Sequence, residues 1–441
     1  MKHTVTHPHS VILSICLIVA ICLSSAGIRA EEPDPLPLGT AVERALAANP
    51  ALAASSASID VAREDLGAAR SDLYPSLSGS ATRTETDQTT HSQEGFNGGG
   101  RSGNTSFGLA LDQNIYDFGR RKAGIRLAGN AVTNSEIALE SERLSVAWNT
   151  VMAYLTWIEA EHAVGVRIEG LELARRHLES AQARLEVGRV SPLDVSKEKV
   201  NVANAESNLI ASRNSAATAL HDLLKLMAAP QITTYTPVEP VDFIPDSIPS
   251  VEKLIEIAMN RRPDLKAARL IQEQQRLQTD LAKSGYWPAI GLSGQSSWSG
   301  DNTPYNQSVS ASLGIRMTFF NGFQTGHSVR SAQAGQVRAA AQTEQLILSL
   351  RTEIHKAHTA LADADKRETA AGQALQYSKE SLALAEGRYE AGLATELELA
   401  DARQTYLDAN DALYRARNVR RTAFAALMAA AGVPYGEETG I

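Results

Sequence analysis

Hydrophobic positions along this chain follow two different periods, and the pair of periods occurs twice in the same order. Leu144, Ala147, Val151, Tyr154 and Ile158 step by three and four, as do Leu346, Leu350, Ile354, Ala357, Leu361 and Ala364 with one doubled four. Such spacing draws one apolar stripe down a helix and predicts a coiled-coil-like seam. Neither proline nor a turn cluster interrupts the chain between about 120 and 187, or between about 323 and 390. A helix of about 68 residues is on the order of 100 Å long, far more than a compact domain needs.

After Pro75 and after Pro288 the period drops to two. Val309, Ala311, Leu313, Ile315, Met317 and Phe319 alternate with Ser310, Ser312, Gly314, Arg316 and Thr318. Phe107, Leu109 and Leu111 alternate with Gly108, Ala110 and Asp112, and weaker alternation runs through Ile290, Leu292 and Trp298 and from Leu77 to Thr86. Alternating segments of about ten residues are the signature of membrane β-barrel strands, which meet lipid on one face and water on the other. A solvated hairpin is the plainer alternative.

Four landmarks show that the two halves are copies. Asn49-Pro50-Ala51-Leu52 matches Arg262-Pro263-Asp264-Leu265, and Tyr74-Pro75-Ser76-Leu77 matches Trp287-Pro288-Ala289-Ile290, both 213 positions apart. Asp117-Phe118-Gly119 then aligns with Phe320-Asn321-Gly322 at 203, and Val187 to Leu193 aligns with Ala391 to Leu397 at 204. A longer loop in the first copy, Gln93 to Gly103, accounts for the shortened offset. The expected division is a signal peptide at 1–30, a first repeat at 31–229, a linker at 230–250, a second repeat at 251–433 and a short tail at 434–441. Five prolines between Pro230 and Pro249 mark the linker as an extended strap.

Composition agrees with packed helices. The 441 residues are 43% hydrophobic but only 5% aromatic, and 68 of them are alanine, the strongest helix former. Near the start, Lys2 precedes an apolar run from Val11 to Leu23 that is too short to span a bilayer, followed by small residues suited to cleavage after Ala26 or Ala30. This pattern predicts export. Both cysteines, Cys16 and Cys22, lie inside that segment, so the mature chain is expected to have none. A net charge of −8 without a basic tract argues against a nucleic-acid partner.

Counting strands calls for an oligomer. Two copies supply four strands, and an open four-stranded sheet in lipid would leave unpaired backbone edges. Barrels begin at about eight strands, so chains must share one: a dimer of eight or a trimer of twelve.

The Asn-Pro-x-Leu entry, the Tyr-Pro and Trp-Pro steps, the Asp-Phe-Gly and Asn-Gly exits and the glycine tips followed by Leu193-Asp194-Val195 and Leu397-Glu398-Leu399 form one ordered set. From about 38 to 433 the chain resembles the TolC family of outer-membrane efflux proteins. The resemblance implies an α+β membrane protein: a homotrimer with a shared 12-stranded transmembrane β-barrel above a long helical tunnel, sitting in the outer membrane and extending into the periplasm. It implies a passive exit duct for efflux or type I secretion. The partners implied are outer-membrane lipid, a periplasmic adaptor and an inner-membrane pump of the resistance-nodulation-division or ATP-binding-cassette type.

Carried over by position, the adaptor-docking tips are Gly188, Arg189, Val190 and Gly392, Leu393, Ala394. Glu398 and Asp401, three apart on one helix face, are expected to form a lumenal acidic ring that favours cations. Tyr389 and Asp194 match positions that tie inner to outer helix pairs when the gate is shut. Many relatives carry a basic residue after the second-tip glycine, whereas Leu393 and Ala394 stand here. No cofactor, resident metal or enzyme activity is expected. His355 and His358 have no matching ligands around them, and Asn97 to Gly100 lacks the Gly-Lys-Ser/Thr ending of a phosphate loop. Two alternatives compete: a periplasmic adaptor, which should carry one hairpin and a β-rich remainder, and a structural envelope coiled coil, which has no use for alternating strands.

Overall fold

The computed structural model describes residues 34–436, apart from 89–90, 93–94, 97–99, 189–190, 232–234, 241–243, 246–247, 301–305 and 392. The expected signal peptide and the last five residues of the tail lie outside the described residues. The first copy runs β1 (Asp34–Leu36), α1 (Leu38–Ala48), α2 (Pro50–Ser71), β2 (Ser76–Gln88), β3 (His91–Ser92), β4 (Gly95–Phe96), β5 (Gly100–Tyr116), α3 (Arg120–Glu186) and α4 (Pro192–Leu226). The linker contributes β6 (Tyr235–Pro237), which pairs in parallel with β1. The second copy runs α5 (Val251–Arg261), α6 (Pro263–Ser284), β7 (Ala289–Gly300), β8 (Asn306–Arg316), α7 (Gln324–Glu390) and α8 (Glu396–Ala430).

Helices α3 and α7 are each 67 residues long, as the two proline-free stretches predict. Each copy begins with two helices separated at the Asn-Pro or Arg-Pro step. Asn49 and Arg262 are extended, with ψ of 123° in both, because the ring of the following proline clashes with a helical residue before it.

The seam residues Ala147, Val151, Tyr154, Ile158, Leu350, Ile354, Leu361 and Ala364 are buried. All but Ala364 join Leu38, Val42, Leu223, Leu224, Leu254, Phe424 and Leu427 in a core about halfway along the long helices. Each large apolar side chain fully buried there contributes about 1.5–3 kcal/mol. Several of its polar atoms are paired. Trp148 Nε1 donates to Val433 O at 3.0 Å, and Asn418 Nδ2 donates to Leu155 O at 3.0 Å and Glu159 Oε2 at 2.6 Å. The Tyr154 hydroxyl accepts from Val238 N at 2.9 Å and lies 2.7 Å from Leu36 O, clamping the strap against α3.

The four long strands form one antiparallel sheet in the order β2-β5-β7-β8. Register places Leu77, Ala81, Phe107, Leu109, Leu111, Ile290, Leu292, Trp298, Val309, Leu313 and Ile315 on one face. Ser78, Ser80, Asp112, Ser293, Gln295, Ser310 and Ser312 share the other. Even the weak alternation of β2 therefore has the same sense as its neighbours. Two boundaries differ from the sequence pattern. Gly100 to Gly103, read as loop, already pair with Gln88 to Glu85, while Met317 and Phe319 lie beyond the end of β8.

Strands turn into helices through two consecutive left-handed residues in each copy. These are Phe118 (φ 52°) and Gly119 (φ 92°), then Gly322 (φ 64°) and Phe323 (φ 67°). Glycine adopts this region freely, whereas a residue with a Cβ pays about 1–2 kcal/mol.

Candidate functional site: sheet edges and hairpin tips

Two regions of this architecture lack a partner within one chain. The first is the sheet. Its outer strands β2 and β8 each pair on one side only, and Leu77, Val309, Leu313 and Ile315 are exposed on its apolar face. In water such a face would be an aggregation surface; in a bilayer it matches the solvent.

The second region is the pair of tips, where α3 turns into α4 and α7 into α8. Gly188 takes φ 72°, the conformation its turn requires. Ser191 caps α4 in a reciprocal box: its hydroxyl accepts from Asp194 N at 3.3 Å, and Asp194 Oδ2 accepts from Ser191 N at 3.0 Å and Oγ at 2.8 Å. These bonds hold the Asp194 carboxyl below its ordinary range. Thr395 and Glu398 repeat the box at the start of α8, with Glu398 Oε2 accepting from Thr395 N at 3.1 Å. Both boxes have local sequence signatures, Ser-x-x-Asp and Thr-x-x-Glu.

Of the candidate tip residues, Gly188, Leu393 and Ala394 are described, while Arg189, Val190 and Gly392 lie outside the described residues. Leu393 is 72% exposed, and Leu397, Val187 and Leu193 are exposed too, so both tips present apolar side chains to solvent. Glu398 and Asp401 are exposed on the same face of α8. Tyr389 and Asp194 are not joined by a hydrogen bond among the described residues. The Arg184 guanidinium instead lies over the Tyr389 ring at 5.0 Å, linking the end of α3 to the end of α7.

One brace escaped sequence reasoning altogether. Arg403 on α8 reaches His177 Nε2 on α3 at 3.0 Å and Glu386 on α7 at 3.5 Å. His177 also lines a groove of about 630 Å³ between α3, α4 and α8, together with Asp194, Lys197, Glu198, Leu397 and Gln404. No local pattern announces such a contact, because its partners lie 226 and 17 positions away.

Among the described residues no helix is long and apolar enough to cross a membrane, and no cluster of three metal-ligating side chains occurs. A half-apolar sheet carried on paired helices on the order of 100 Å long defines a class of protein, the outer-membrane channel with a helical tunnel.

Comparison with known proteins narrows the class. The model of the outer membrane efflux protein family matches residues 41–229 and 254–433. Protein CyaE of Bordetella pertussis is 28% identical over 414 residues, covering 91% of this chain and 85% of that one. Outer membrane protein TolC of Escherichia coli is 26% identical over 392 residues, covering 85% and 78%. The CmeC outer membrane channel of Campylobacter jejuni superposes with a TM-score of 0.76 at 19% identity, covering 91% of this chain and 87% of that one. The chain belongs to the outer membrane efflux protein family. It is an α+β channel protein of the outer membrane whose helices extend into the periplasm, in a family of efflux channels and not of enzymes.

Proposed function

We propose that three copies of this chain close a 12-stranded barrel and form a passive exit duct. The carrying observation is the sheet, apolar on one face with β2 and β8 open at its edges. Each backbone group left unpaired in lipid costs several kcal/mol, so β8 of one copy pairs with β2 of the next. Four strands per copy give twelve in a trimer.

Energy comes from partners. An inner-membrane pump of the resistance-nodulation-division or ATP-binding-cassette type delivers cargo through a periplasmic adaptor. The adaptor docks on the tips around Gly188, Arg189, Val190, Gly392, Leu393 and Ala394, and the exposed Leu393 and Leu193 support that reading because a docking surface needs apolar anchors. Glu398 and Asp401, repeated by three copies, ring the lumen with six carboxylates. Tyr389 and Asp194 tie the helix pairs in the closed state through the carboxylate oxygen that Ser191 does not occupy.

The test is cross-linking of cysteines placed on facing positions of β2 and β8, since Cys16 and Cys22 lie in the expected signal peptide. A ladder ending at three copies, with migration that shifts on heating, is the expected result. A ladder ending at two, or none, would sink the trimer.

A further inference from the structure

A second cavity, of about 480 Å³, lies where the two copies meet. Leu46 on α1, Leu139, Leu144 and Ala147 on α3, Pro263 at the start of α6 and Pro434 beyond α8 give it aliphatic walls. Tyr435 is the one aromatic side chain in the lining, its ring edge-on to Trp148 at 6.0 Å. The volume falls within the range of small-molecule sites, about 300–1,000 Å³. Walls of this kind suit a methylene chain, since only Tyr435 offers a ring something to stack on.

Charge at this cavity is one-sided once existing pairs are counted. Glu140 is held by Lys266 Nζ on α6 at 2.7 and 2.9 Å, and Glu136 by Arg63 on α2 at 3.8 Å. Both of those cations come from outside the lining. Arg143 and Arg261 are the positive side chains within it. Arg143 is exposed and makes no hydrogen bond or ion pair among the described residues. A guanidinium offers parallel N–H groups that match the two oxygens of a carboxylate.

We propose that this cavity binds a long-chain alkyl carboxylate, its methylene chain along Leu46, Leu139, Leu144 and Pro434 and its carboxylate on Arg143. The bound molecule touches α1, α3, the start of α6 and the segment after α8. It therefore ties the two copies together at one point and stabilises the folded chain by mass action. A cationic or neutral amphiphile leaves Arg143 unmatched and binds more weakly.

The experiment photolabels the full chain, in phospholipid nanodiscs, with dodecanoate carrying a diazirine on its terminal carbon. Mass spectrometry then locates the labelled residues. Saturable labelling between Leu139 and Ala147 and around Pro434 is expected, competed by dodecanoate but not by dodecyltrimethylammonium. Arg143→Gln, which breaks no existing bond, should cut that labelling about tenfold or more by removing one charge-assisted contact. It should also abolish the rise in thermal midpoint that dodecanoate gives the unmodified protein. Labelling confined to the apolar face of the sheet, equal labelling of Arg143→Gln, or equal competition by the cationic amphiphile overturns the proposal. Labelling that appears only after deletion of residues 437–441 overturns it too, because the acidic segment with Glu437 and Glu438 is then the occupant.

Discussion

The Arg262 guanidinium donates from Nη1 to the backbone carbonyl of Ala430 at 2.9 Å, and Asn49 Nδ2 donates to Leu226 O at the same distance in the first copy. Each is the residue before the proline that opens the second helix of its copy, and each ties that break to the end of its copy's last helix. One solution to an orphaned helix C-terminus was thus kept after duplication while the side chain changed.

Arg262 carries more than Asn49 does. It also pairs with Glu353 at 2.7 Å and with both oxygens of Asp264 at 3.1 and 2.7 Å, with only 17% of its side chain exposed. Arg262→Ala should destabilise the protein by about 2–3 kcal/mol, because three acceptors lose their donor. Arg262→Asn should recover part of that loss by copying the first repeat. Urea unfolding of the two variants in detergent measures the difference.

Tyr154 predicts an alkaline limit. Burial pushes its phenol up from 10.0 to about 12, so above pH 10 the unfolded chain loses the proton first. Stability is full below pH 10 and declines as pH rises through 12, by about 1–3 kcal/mol in all. Tyr154→Phe should be less stable at neutral pH, since Val238 N and Leu36 O lose their partner, and should show a shallower decline between those pH values. Thermal midpoints across the alkaline range decide it.

His162 predicts the acid side. Its ring lies flat on Tyr414 at 3.5 Å, and burial holds its proton affinity below the ordinary 6.5 despite Asp411 and Glu239 nearby. Below pH 6.5 the unfolded chain binds the proton first, so stability falls as pH drops towards the folded value. His162→Gln should narrow the gap between thermal midpoints at neutral pH and at mildly acidic pH. An unchanged gap would assign the acid sensitivity to other groups.

The tip of α8 separates charge from helix capping. Thr395→Ala and Glu398→Gln both weaken the same capping box, at a cost of about 1 kcal/mol each in local helix stability. Only Glu398→Gln removes a carboxylate. Single-channel recordings should show reduced cation selectivity for Glu398→Gln and for Asp401→Asn but not for Thr395→Ala. Equal effects in all three would make Glu398 a cap and nothing more.

Much of this molecule was legible along the chain because its elements are long and their periods clean. The stripe through Leu350 and Ile354, the alternation through Val309 and Leu313, and the paired landmarks Pro50 and Pro263 are local or near-exact repeats. They determine two 67-residue helices, four long strands and a duplicated plan. Side-chain partnership was decided by tertiary structure. Tyr389 lies under the Arg184 guanidinium at 5.0 Å, and Arg403 joins three helices through His177 and Glu386, because packing sets which partners come within reach of a long cationic side chain. The joints show both at once. Phe118-Gly119 and Asn321-Gly322 could be read as exits, but only the folded backbone revealed that a phenylalanine in each copy stands in a conformation its Cβ resists.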